Sequence, residues 1–228
     1  SHHGQIVTIN PEMISEARKN KEFSEIVEHA DLVVPDGIGV EIGLKILGHK
    51  VKRIPGIELG RALIVKDLKI GYSFALLPRI NFEVGSRVKF SDENKTVAFV
   101  GAKPEVVESA VKMLRTDIQN LNVVYYHDGY FKDANIIMDS LYQAKPDLVL
   151  VALGSPKQEF FIAEMKNRLP NSTFIGLGGS FDVWAGHVER APEIYQNLGL
   201  EWLYRTIKEP KRFKRIFPTL PLFILSVL

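Results

Sequence analysis

Asp36 is the side chain in this sequence best placed to act as an acid or a base. It follows a short apolar run, residues 32–34, which is typical of a buried strand. Pro35 is expected to end that strand, because proline has no N–H to give to a sheet ladder. Open α/β sheets bind ligands just past the carboxyl ends of their strands, and two glycines follow Asp36 within three positions. The alternative is that Asp36 only caps the helix predicted to begin near Ile38.

Several other predicted strands also end in small or polar residues. Parallel strands place their carboxyl ends along one rim of the sheet, so these residues could line a single pocket together with Asp36. The candidates are Thr8, Asn10, Asp36, His127, Asp128, the segment from Gly154 to Gln158 and the segment from Gly178 to Asp182.

The segment from Gly154 to Gln158, Gly-Ser-Pro-Lys-Gln, is similar to a phosphate-binding turn. Ser155 is predicted as the N-cap of a helix and Pro156 as its first residue, so exposed N–H groups and the helix dipole could hold an anion. A Ser-Pro pair before a helix is also a common structural start, and the pattern alone does not separate the two interpretations.

The usual fingerprints of ATP and dinucleotide binding are absent from the sequence. It contains neither G-x-x-x-x-G-K-[ST] nor G-x-G-x-x-G, and it contains no Asp-x-Asp pair to hold a metal–diphosphate. If a diphosphate leaves from this site, backbone N–H groups and Arg or Lys side chains must therefore stabilise its charge.

Composition indicates a soluble α/β chain with a basic end. The 228 residues are 46% hydrophobic and 25% charged, which is enough for a full core. The absence of cysteine excludes disulfides, thiolate catalysis and cysteine-ligated zinc. The net charge is only +2, but six cations and one acid lie within residues 205–215. The sequence offers no signal peptide, and the apolar stretch 216–228 is shorter than the roughly 20 residues of a membrane span.

The order of predicted elements indicates an α/β fold: a Rossmann-like, mostly parallel sheet with helices on both faces and a small helical C-terminal appendage. We predict an α/β catalytic domain over 1–190 and a helical membrane-docking appendage over 191–228. Residues 66–95 have the weakest secondary-structure pattern. A hairpin with its break near Pro78 is predicted there, although a lid or an interface element would have the same sequence pattern. Strands are predicted at 5–9, 32–34, 96–100, 123–126, 148–153 and 174–177, and helices at 11–29 with a break near Asn20, 38–47, 57–65, 104–118, 134–143, 158–168, 194–198 and 200–207.

Six blocks, taken in order, resemble those of the WecG/TagA/CpsF glycosyltransferases. The resemblance covers residues 5 to about 60 and 96 to about 215, and leaves 66–95 as an unaligned insertion. The blocks are 7–12, 35–39, 53–57, 127–131, 154–159 and 178–186, and the match continues through 190–192 and 199–205.

This resemblance implies an inverting transfer of an N-acetylmannosamine-type sugar from a UDP donor to undecaprenyl-diphosphate-linked N-acetylglucosamine, in wall teichoic acid or other surface polysaccharide synthesis. Inversion by direct displacement needs a base that takes the proton of the attacking hydroxyl, and Asp36 matches the family's proposed base. Thr8 and Asn10 would position sugar hydroxyls, and Gln158 would face the same pocket. No cofactor or metal is expected.

The remaining predicted site residues each carry an open alternative. Arg53 is a candidate diphosphate contact, but an arginine in a basic loop is usually only solvated. His127 is a weaker candidate for substrate binding, since a histidine at a strand end is often a structural hydrogen-bond partner. Gly178, Gly179 and Asp182 would shape the nucleotide pocket, or simply make a tight bend.

The basic appendage is predicted to meet the lipid. Arg205, Arg212 and Arg215 match arginines that the family places near the acceptor diphosphate, and their spacing keeps them near one helical face, with Pro210 as a break. The neighbouring lysines would attract anionic lipid and the apolar tail would insert shallowly. A nucleic-acid patch or a solvated helix is the alternative, and the adjoining apolar tail favours the membrane.

We therefore predict a peripheral enzyme on the cytoplasmic, inner face of the cell membrane, with a UDP-sugar and a polyprenyl-diphosphate-linked acceptor as partners, no nucleic acid, and the oligomeric state open. One rival hypothesis is a non-catalytic nucleotide-sugar-binding protein that uses the same pocket. Another is a reductase that binds a dinucleotide at Gly178 and Gly179, which the missing fingerprint disfavours.

Overall fold

The computed structural model describes residues 3–65, 74–77, 80–82, 95–210, 221–223 and 225. Strands and helices alternate along most of this chain, as the sequence predicts. The strands are β1 (Gly4–Ile9), β2 (Leu32–Pro35), β3 (Phe74–Leu77), β4 (Ile80–Phe82), β5 (Thr96–Gly101), β6 (Asn122–His127), β7 (Leu148–Ala152) and β8 (Thr173–Gly176). The helices are α1 (Pro11–Ala17), α2 (Lys21–Glu28), α3 (Ile38–Ile46), α4 (Gly56–Val65), α5 (Pro104–Asp117), α6 (Ala134–Ala144), α7 (Lys157–Arg168), α8 (Ser180–Trp184), α9 (Glu193–Asn197) and α10 (Glu201–Lys208).

A six-stranded parallel sheet in the order β2-β1-β8-β7-β5-β6 forms the centre of the molecule. β7 is buried along its whole length, and its run of Leu, Val and Ala side chains is typical of a strand covered on both faces. The predicted α/β class with a mostly parallel sheet is therefore confirmed.

Helices cover the two faces of this sheet. On one face α4, α5 and α8 pack on the strands through side chains such as Leu63, Val107 and Phe181. On the other face α1, α2 and α3 cover β1 and β2, while α6 and α7 cover the central strands. The predicted layer arrangement is thus also confirmed.

Pro35 is the last residue of β2, so the strand ends there as predicted but includes the proline. Its Cα is in register with Ile9 of β1, and its carbonyl oxygen accepts the N–H of Ile54 at 2.8 Å. β2 lies at the edge of the sheet, where a strand can lose one donor without breaking the ladder. Asp36 consequently follows the strand directly.

Two short antiparallel strands, β3 and β4, occur where the sequence predicts a hairpin around Pro78, with Phe74 in register with Phe82. The rest of the segment 66–94 lies outside the described residues.

The C-terminal part of the described chain is helical, with α9 and α10 followed by residues 221–223 and 225. Phe223 is 5% exposed and belongs to the buried cluster under α1, α2 and α3, so this residue of the C-terminal stretch contacts the α/β body. Within the ranges that the structure describes, no helix combines the length and the apolar character needed to cross a bilayer.

We expect Gly101→Ala to destabilise the fold strongly. Gly101 ends β5 with φ +123°, and a Cβ there would lie 2.4 Å from the carbonyl carbon and oxygen of Ala152 on β7. Strain and overpacking together should lower the free energy of unfolding by about 2–4 kcal/mol. The matched control is Gly186→Ala, at φ +74° with open space around the new Cβ, which should cost only about 1–2 kcal/mol. Urea unfolding curves measure both, and equal losses would contradict the predicted clash.

Candidate active site

A cavity of about 470 Å³ opens at the carboxyl ends of β1, β2, β7 and β8, with α10 along one side. The structure thus brings together most of the candidates that the sequence places at strand ends. The predicted site residues that line the cavity are Thr8, Asn10, Asp36, Arg53, Gln158, Gly178, Gly179 and Arg205.

Asp36 lies in this cavity with its backbone fixed to the sheet. Its N–H donates to the carbonyl of Ile9 at 2.7 Å, and its carboxylate accepts the N–H of Gly56 at the start of α4. A Cβ on Gly56 would lie 3.5 Å from Asp36 Oδ2 and 3.4 Å from the Thr8 side chain, so glycine leaves room around the carboxylate. The carboxylate is therefore held on the inner wall of the cavity.

Burial raises the pKa of Asp36 to about 6. The Gly56 N–H and the positive charges of Arg53 and Arg205 oppose this shift, whereas the negative charge of Glu201 adds to it. A carboxylic acid with this pKa can change its protonation state near neutral pH, which is the property required of a general base.

The interpretation of Asp36 as a helix cap is wrong. The N-cap of α3 is Gly37, whose φ of +85° is strained for residues with a side chain. Asp36 therefore precedes the cap, and its carboxylate binds the Gly56 N–H instead of the first turn of α3.

Gln158 is 4% exposed and is held by hydrogen bonds at both ends of its amide. Its Oε1 accepts the N–H of Gly178 at 3.1 Å, and its Nε2 donates to Oε1 of Glu159 at 2.8 Å. A Cβ on Gly176 would lie 2.4 Å from Gln158 Nε2, so the end of β8 must be bare to admit this amide. Gln158 therefore links the start of α7 to the loop after β8.

Glu159 is a buried acid that the sequence analysis missed. It is 2% exposed, and burial raises the pKa of its carboxyl against hydrogen bonds from Gln158 and Ser155. In the sequence it looks like an ordinary acid in the first turn of a helix, where acids are common because of the helix dipole. The preceding Ser-Pro-Lys-Gln residues do not indicate that the Glu159 side chain is buried.

Ser155 is not the N-cap of α7, so that prediction is wrong. The N-cap is Pro156, which follows a cis Ser155–Pro156 peptide, and the helix begins at Lys157. Within the described part of the chain, no side chain caps the first turn of α7 through a hydrogen bond. Gly154 and Ser155 still line the cavity, and anion binding at this turn remains a prediction.

Thr8 and Asn10 each make one hydrogen bond within the protein and have a second hydrogen-bonding group that remains available in the cavity. Thr8 Oγ1 donates to the carbonyl of Gly176 at 3.2 Å, so its oxygen can still accept a hydrogen bond. Asn10 Oδ1 accepts the N–H of Met13 at 3.0 Å as the N-cap of α1, so its NH₂ group can donate. One acceptor and one donor are therefore available to a polar ligand.

Arg53 joins the α/β body to the C-terminal helices. Its Nη1 lies 3.4 Å from Glu201 Oε2, and its Nη2 donates to the carbonyl of Gln196. The side chain is only 14% exposed, so the interpretation of Arg53 as a solvated surface arginine is wrong. Arg53 lines the cavity while it anchors α9 and α10.

Glu201 was also missed in the sequence, where it is one acid in an amphipathic helix. The structure places it between two arginines, since Arg190 Nε lies 3.7 Å from its Oε1 on the side away from Arg53. Arg190 in turn contacts Glu58 of α4. This chain of charges fixes α10 beside the cavity.

α10 contributes Trp202 and Arg205 to the cavity wall. The indole Nε1 of Trp202 and the Nε of Arg205 are buried donors for which the described part of the chain supplies no hydrogen-bond partner. Arg205 was predicted and Trp202 was not, since a tryptophan in an amphipathic helix normally indicates packing. Arg212 and Arg215 lie outside the described residues.

The structure does not bring His127, Asp128 or Asp182 to the cavity wall. His127 ends β6 at the far edge of the sheet, separated from β8 by β5 and β7, and its Nδ1 lies 2.9 Å from the Asp128 carbonyl. Asp182 lies in α8, and its carbonyl accepts the N–H groups of His187 and Val188. Over the described ranges, no group of three His, Asp or Glu side chains is arranged to hold a metal ion.

We expect Asp36→Asn to stabilise the protein above pH 6. The raised pKa means that the folded protein binds this proton more tightly than the unfolded chain does. The wild type therefore loses stability as the pH rises from about 4 to about 6, by at most about 3 kcal/mol. The asparagine amide does not ionise, so it does not lose this stability. The free energy of unfolding of the variant should therefore exceed that of the wild type at pH 8 but not at pH 3.5. Chemical unfolding at the two pH values measures it, and an advantage that does not change with pH would contradict the assignment.

Comparison with known proteins identifies the family of this chain. The model of the glycosyl transferase WecG/TagA/CpsF family matches residues 1–78 and 87–228, so the unmatched part of the predicted insertion shrinks to 79–86. Two relatives, from Bacillus spizizenii and Bacillus subtilis, are 34% and 33% identical over 224 residues. Each is named N-acetylglucosaminyldiphosphoundecaprenol N-acetyl-beta-D-mannosaminyltransferase, and each alignment covers 98% of this chain and 78% of the relative. The chain belongs to the WecG/TagA/CpsF family of glycosyl transferases.

Proposed function

We propose that this protein transfers N-acetylmannosamine, or a closely related sugar, from a UDP-sugar to undecaprenyl-diphosphate-linked N-acetylglucosamine, with inversion at the sugar carbon. The product would enter wall teichoic acid or another surface polysaccharide. The names of the two relatives support the acceptor and the sugar. The observation that carries the proposal is a buried carboxylate with a pKa of about 6 in the same cavity as two arginines.

Asp36 would be the general base. As the acceptor hydroxyl attacks the anomeric carbon of the donor, its proton passes to the Asp36 carboxylate, the new C–O bond forms on one face, and the bond to UDP breaks on the other. A base with a pKa of about 6 is ionised at neutral pH and still accepts a proton readily. The departing UDP carries away the electron pair of the broken bond.

The cavity supplies groups for the rest of the donor. The free acceptor site on Thr8 and the amide of Asn10 would bind sugar hydroxyls, next to the Asp36 carboxylate. Gly178 and Gly179 leave the backbone open after β8, and Gln158 fixes the position of Gly178 through its N–H. These groups would orient the sugar and the nucleotide for in-line displacement.

Cations would stabilise the phosphates. Arg205 lines the cavity with a buried Nε–H that lacks a partner among the described residues, and a diphosphate oxygen would satisfy that donor. Arg53 also lines the cavity and adds a second positive charge near the Asp36 carboxylate. Arg212 and Arg215 are proposed to bind the acceptor diphosphate from the segment beyond α10.

The C-terminal basic and apolar segment would hold the enzyme on the inner face of the cell membrane, where both the UDP-sugar and the lipid-linked acceptor are accessible. Cations in this segment would attract anionic lipid, and exposed apolar residues such as Leu222 and Leu225 would insert at the surface.

The reaction can be tested with a panel of UDP-sugars and a water-soluble, short-chain diphosphate-linked N-acetylglucosamine acceptor. We expect mass spectrometry to detect one added N-acetylhexosamine with UDP-N-acetylmannosamine. Asp36→Asn should reduce turnover by about 10²–10⁴-fold, because it removes the base, while UDP binding measured by calorimetry stays within about two-fold. The turnover of the wild type should rise with pH up to about 6 and then level off. Turnover of the variant within a few-fold of wild type would show that Asp36 is not the base.

Arg205 can be tested against a cation on the same helix. Arg205→Ala should lower turnover by at least about ten-fold, since one charge-assisted hydrogen bond to a phosphate is lost. Lys208→Ala is the matched control, because Lys208 is 62% exposed, does not line the cavity and pairs with Glu189. Its turnover should remain within about two-fold. Equal effects of the two variants would indicate a general charge effect instead of a contact in the cavity.

A further inference from the structure

The outer face of α3 carries large apolar side chains in solvent. Ile42 and Ile46 are each 41% exposed and lie one helical turn apart, and Leu47, which follows the helix, is 48% exposed. The opposite side of α3 is fully packed, since Val40 and Leu44 are 0% exposed. We call Ile42, Ile46 and Leu47 the α3 patch. It is not needed for the core.

The α3 patch is connected to the active-site cavity by the helix itself. Ile38 at the start of α3 lines the cavity and lies four residues before Ile42, so the residues at 38, 42 and 46 form one stripe. At 1.5 Å per residue, Ile46 lies about 12 Å along the helix from Ile38. An apolar chain that leaves the cavity mouth could therefore follow this stripe to the patch.

The residues next to the α3 patch in sequence carry positive charge. Lys45, Lys50 and Lys52 are exposed, and residues 42–52 contain no acid. Exposed apolar side chains together with exposed lysines match the surface of an anionic bilayer, where lysines meet phosphates and apolar groups enter the headgroup boundary. Two copies of this patch, facing each other across a two-fold axis, would instead oppose like charges.

Phe223, from the C-terminal stretch, contacts the same part of the body. Phe223 belongs to the buried cluster that contains Val40 and Leu44 of α3, and its neighbours Leu222 and Leu225 are 64% and 67% exposed. The α3 patch and the exposed leucines at 222 and 225 therefore both adjoin residues of one buried cluster, although they are far apart in the sequence.

We propose that the α3 patch and its lysines are a membrane-contact surface on the α/β body, which binds anionic lipid and holds the cavity mouth at the bilayer. This surface is separate in sequence from the C-terminal segment. The proposal rests on the proposed function in one respect: a lipid-linked acceptor would require the cavity mouth to lie at the bilayer. The contact itself can be tested without any sugar transfer.

Vesicle flotation of the full chain tests the contact directly. With vesicles that contain about one third phosphatidylglycerol, Ile46→Glu/Leu47→Glu should reduce the bound fraction at least about ten-fold, because it places two acids at the bilayer surface. Lys45→Glu/Lys50→Glu should reduce binding to the anionic vesicles by at least about five-fold per position, because each change removes a cation and adds an acid, and should have little effect on binding to phosphatidylcholine alone. Salt should weaken the binding of wild type to anionic vesicles.

The matched control is Ile136→Glu/Tyr142→Glu on α6, where the side chains are 63% and 49% exposed. α6 packs beside β6, at the opposite edge of the sheet from β2. This control should float as wild type does. Thermal unfolding of all variants should agree within a few degrees, since every changed side chain is on the surface.

Two activity measurements separate this proposal from the proposed function. Transfer to the water-soluble acceptor should be unchanged in the α3 variants, while transfer to a full-length lipid acceptor in vesicles should fall together with flotation. If the wild type transfers no sugar, the proposed function fails, whereas the flotation result still decides the α3 contact. Flotation of the α3 variants equal to that of wild type would overturn the proposal. A change of oligomeric state in sedimentation with unchanged flotation would also overturn it, and would assign the patch to contact between copies of the chain.

Discussion

Removal of the Asp36 carboxyl from water is the interaction on which the rest of the site depends. An isolated carboxylate at this position would simply stay protonated, so the surrounding groups decide whether it can act as a base. The N–H of Gly56 and two arginines make ionisation possible, while burial and Glu201 keep the pKa well above that of a free aspartate. The result is an acid whose pKa of about 6 depends on several distant parts of the chain being in place.

Those distant parts are held by the same charges that adjust the carboxyl. Arg53 contacts Glu201 and the carbonyl of Gln196, so one guanidinium both lowers the pKa of Asp36 and anchors α9 and α10. Glu201 lies between Arg53 and Arg190, and it raises the pKa of Asp36. Because α10 carries Arg205 and Trp202 into the cavity, any displacement of this helix would change the electrostatics of Asp36 as well as the shape of the site.

The sequence predicted what local patterns can determine. Alternation of apolar runs and amphipathic segments located nearly every strand and helix, and the turn chemistry placed Asp36 at a strand end. Local patterns do not determine the order of strands in the sheet. His127 was therefore grouped with Asp36, although β6 lies at the far edge of the sheet. Glu159 and Glu201 were missed for a related reason, because the inward direction of an acid on a helix is decided by what packs against that helix. The role of Glu201 depends on its ion pairs with Arg190 and Arg53, which are 11 and 148 residues away in the sequence.

α3 shows how one element can set both the chemistry and its location. Its N-terminal end holds Gly37, Ile38 and Gly39 in the cavity wall directly after Asp36, while its C-terminal end exposes the α3 patch. A helix is a rigid spacer of about 1.5 Å per residue, so the distance between Asp36, the proposed base, and the proposed lipid surface is fixed by the length of α3. A lipid-linked acceptor would impose the same fixed distance, because its sugar would have to reach the proposed base while its chain stayed in the bilayer. The proposed membrane contact and the proposed base therefore impose one common constraint on this helix.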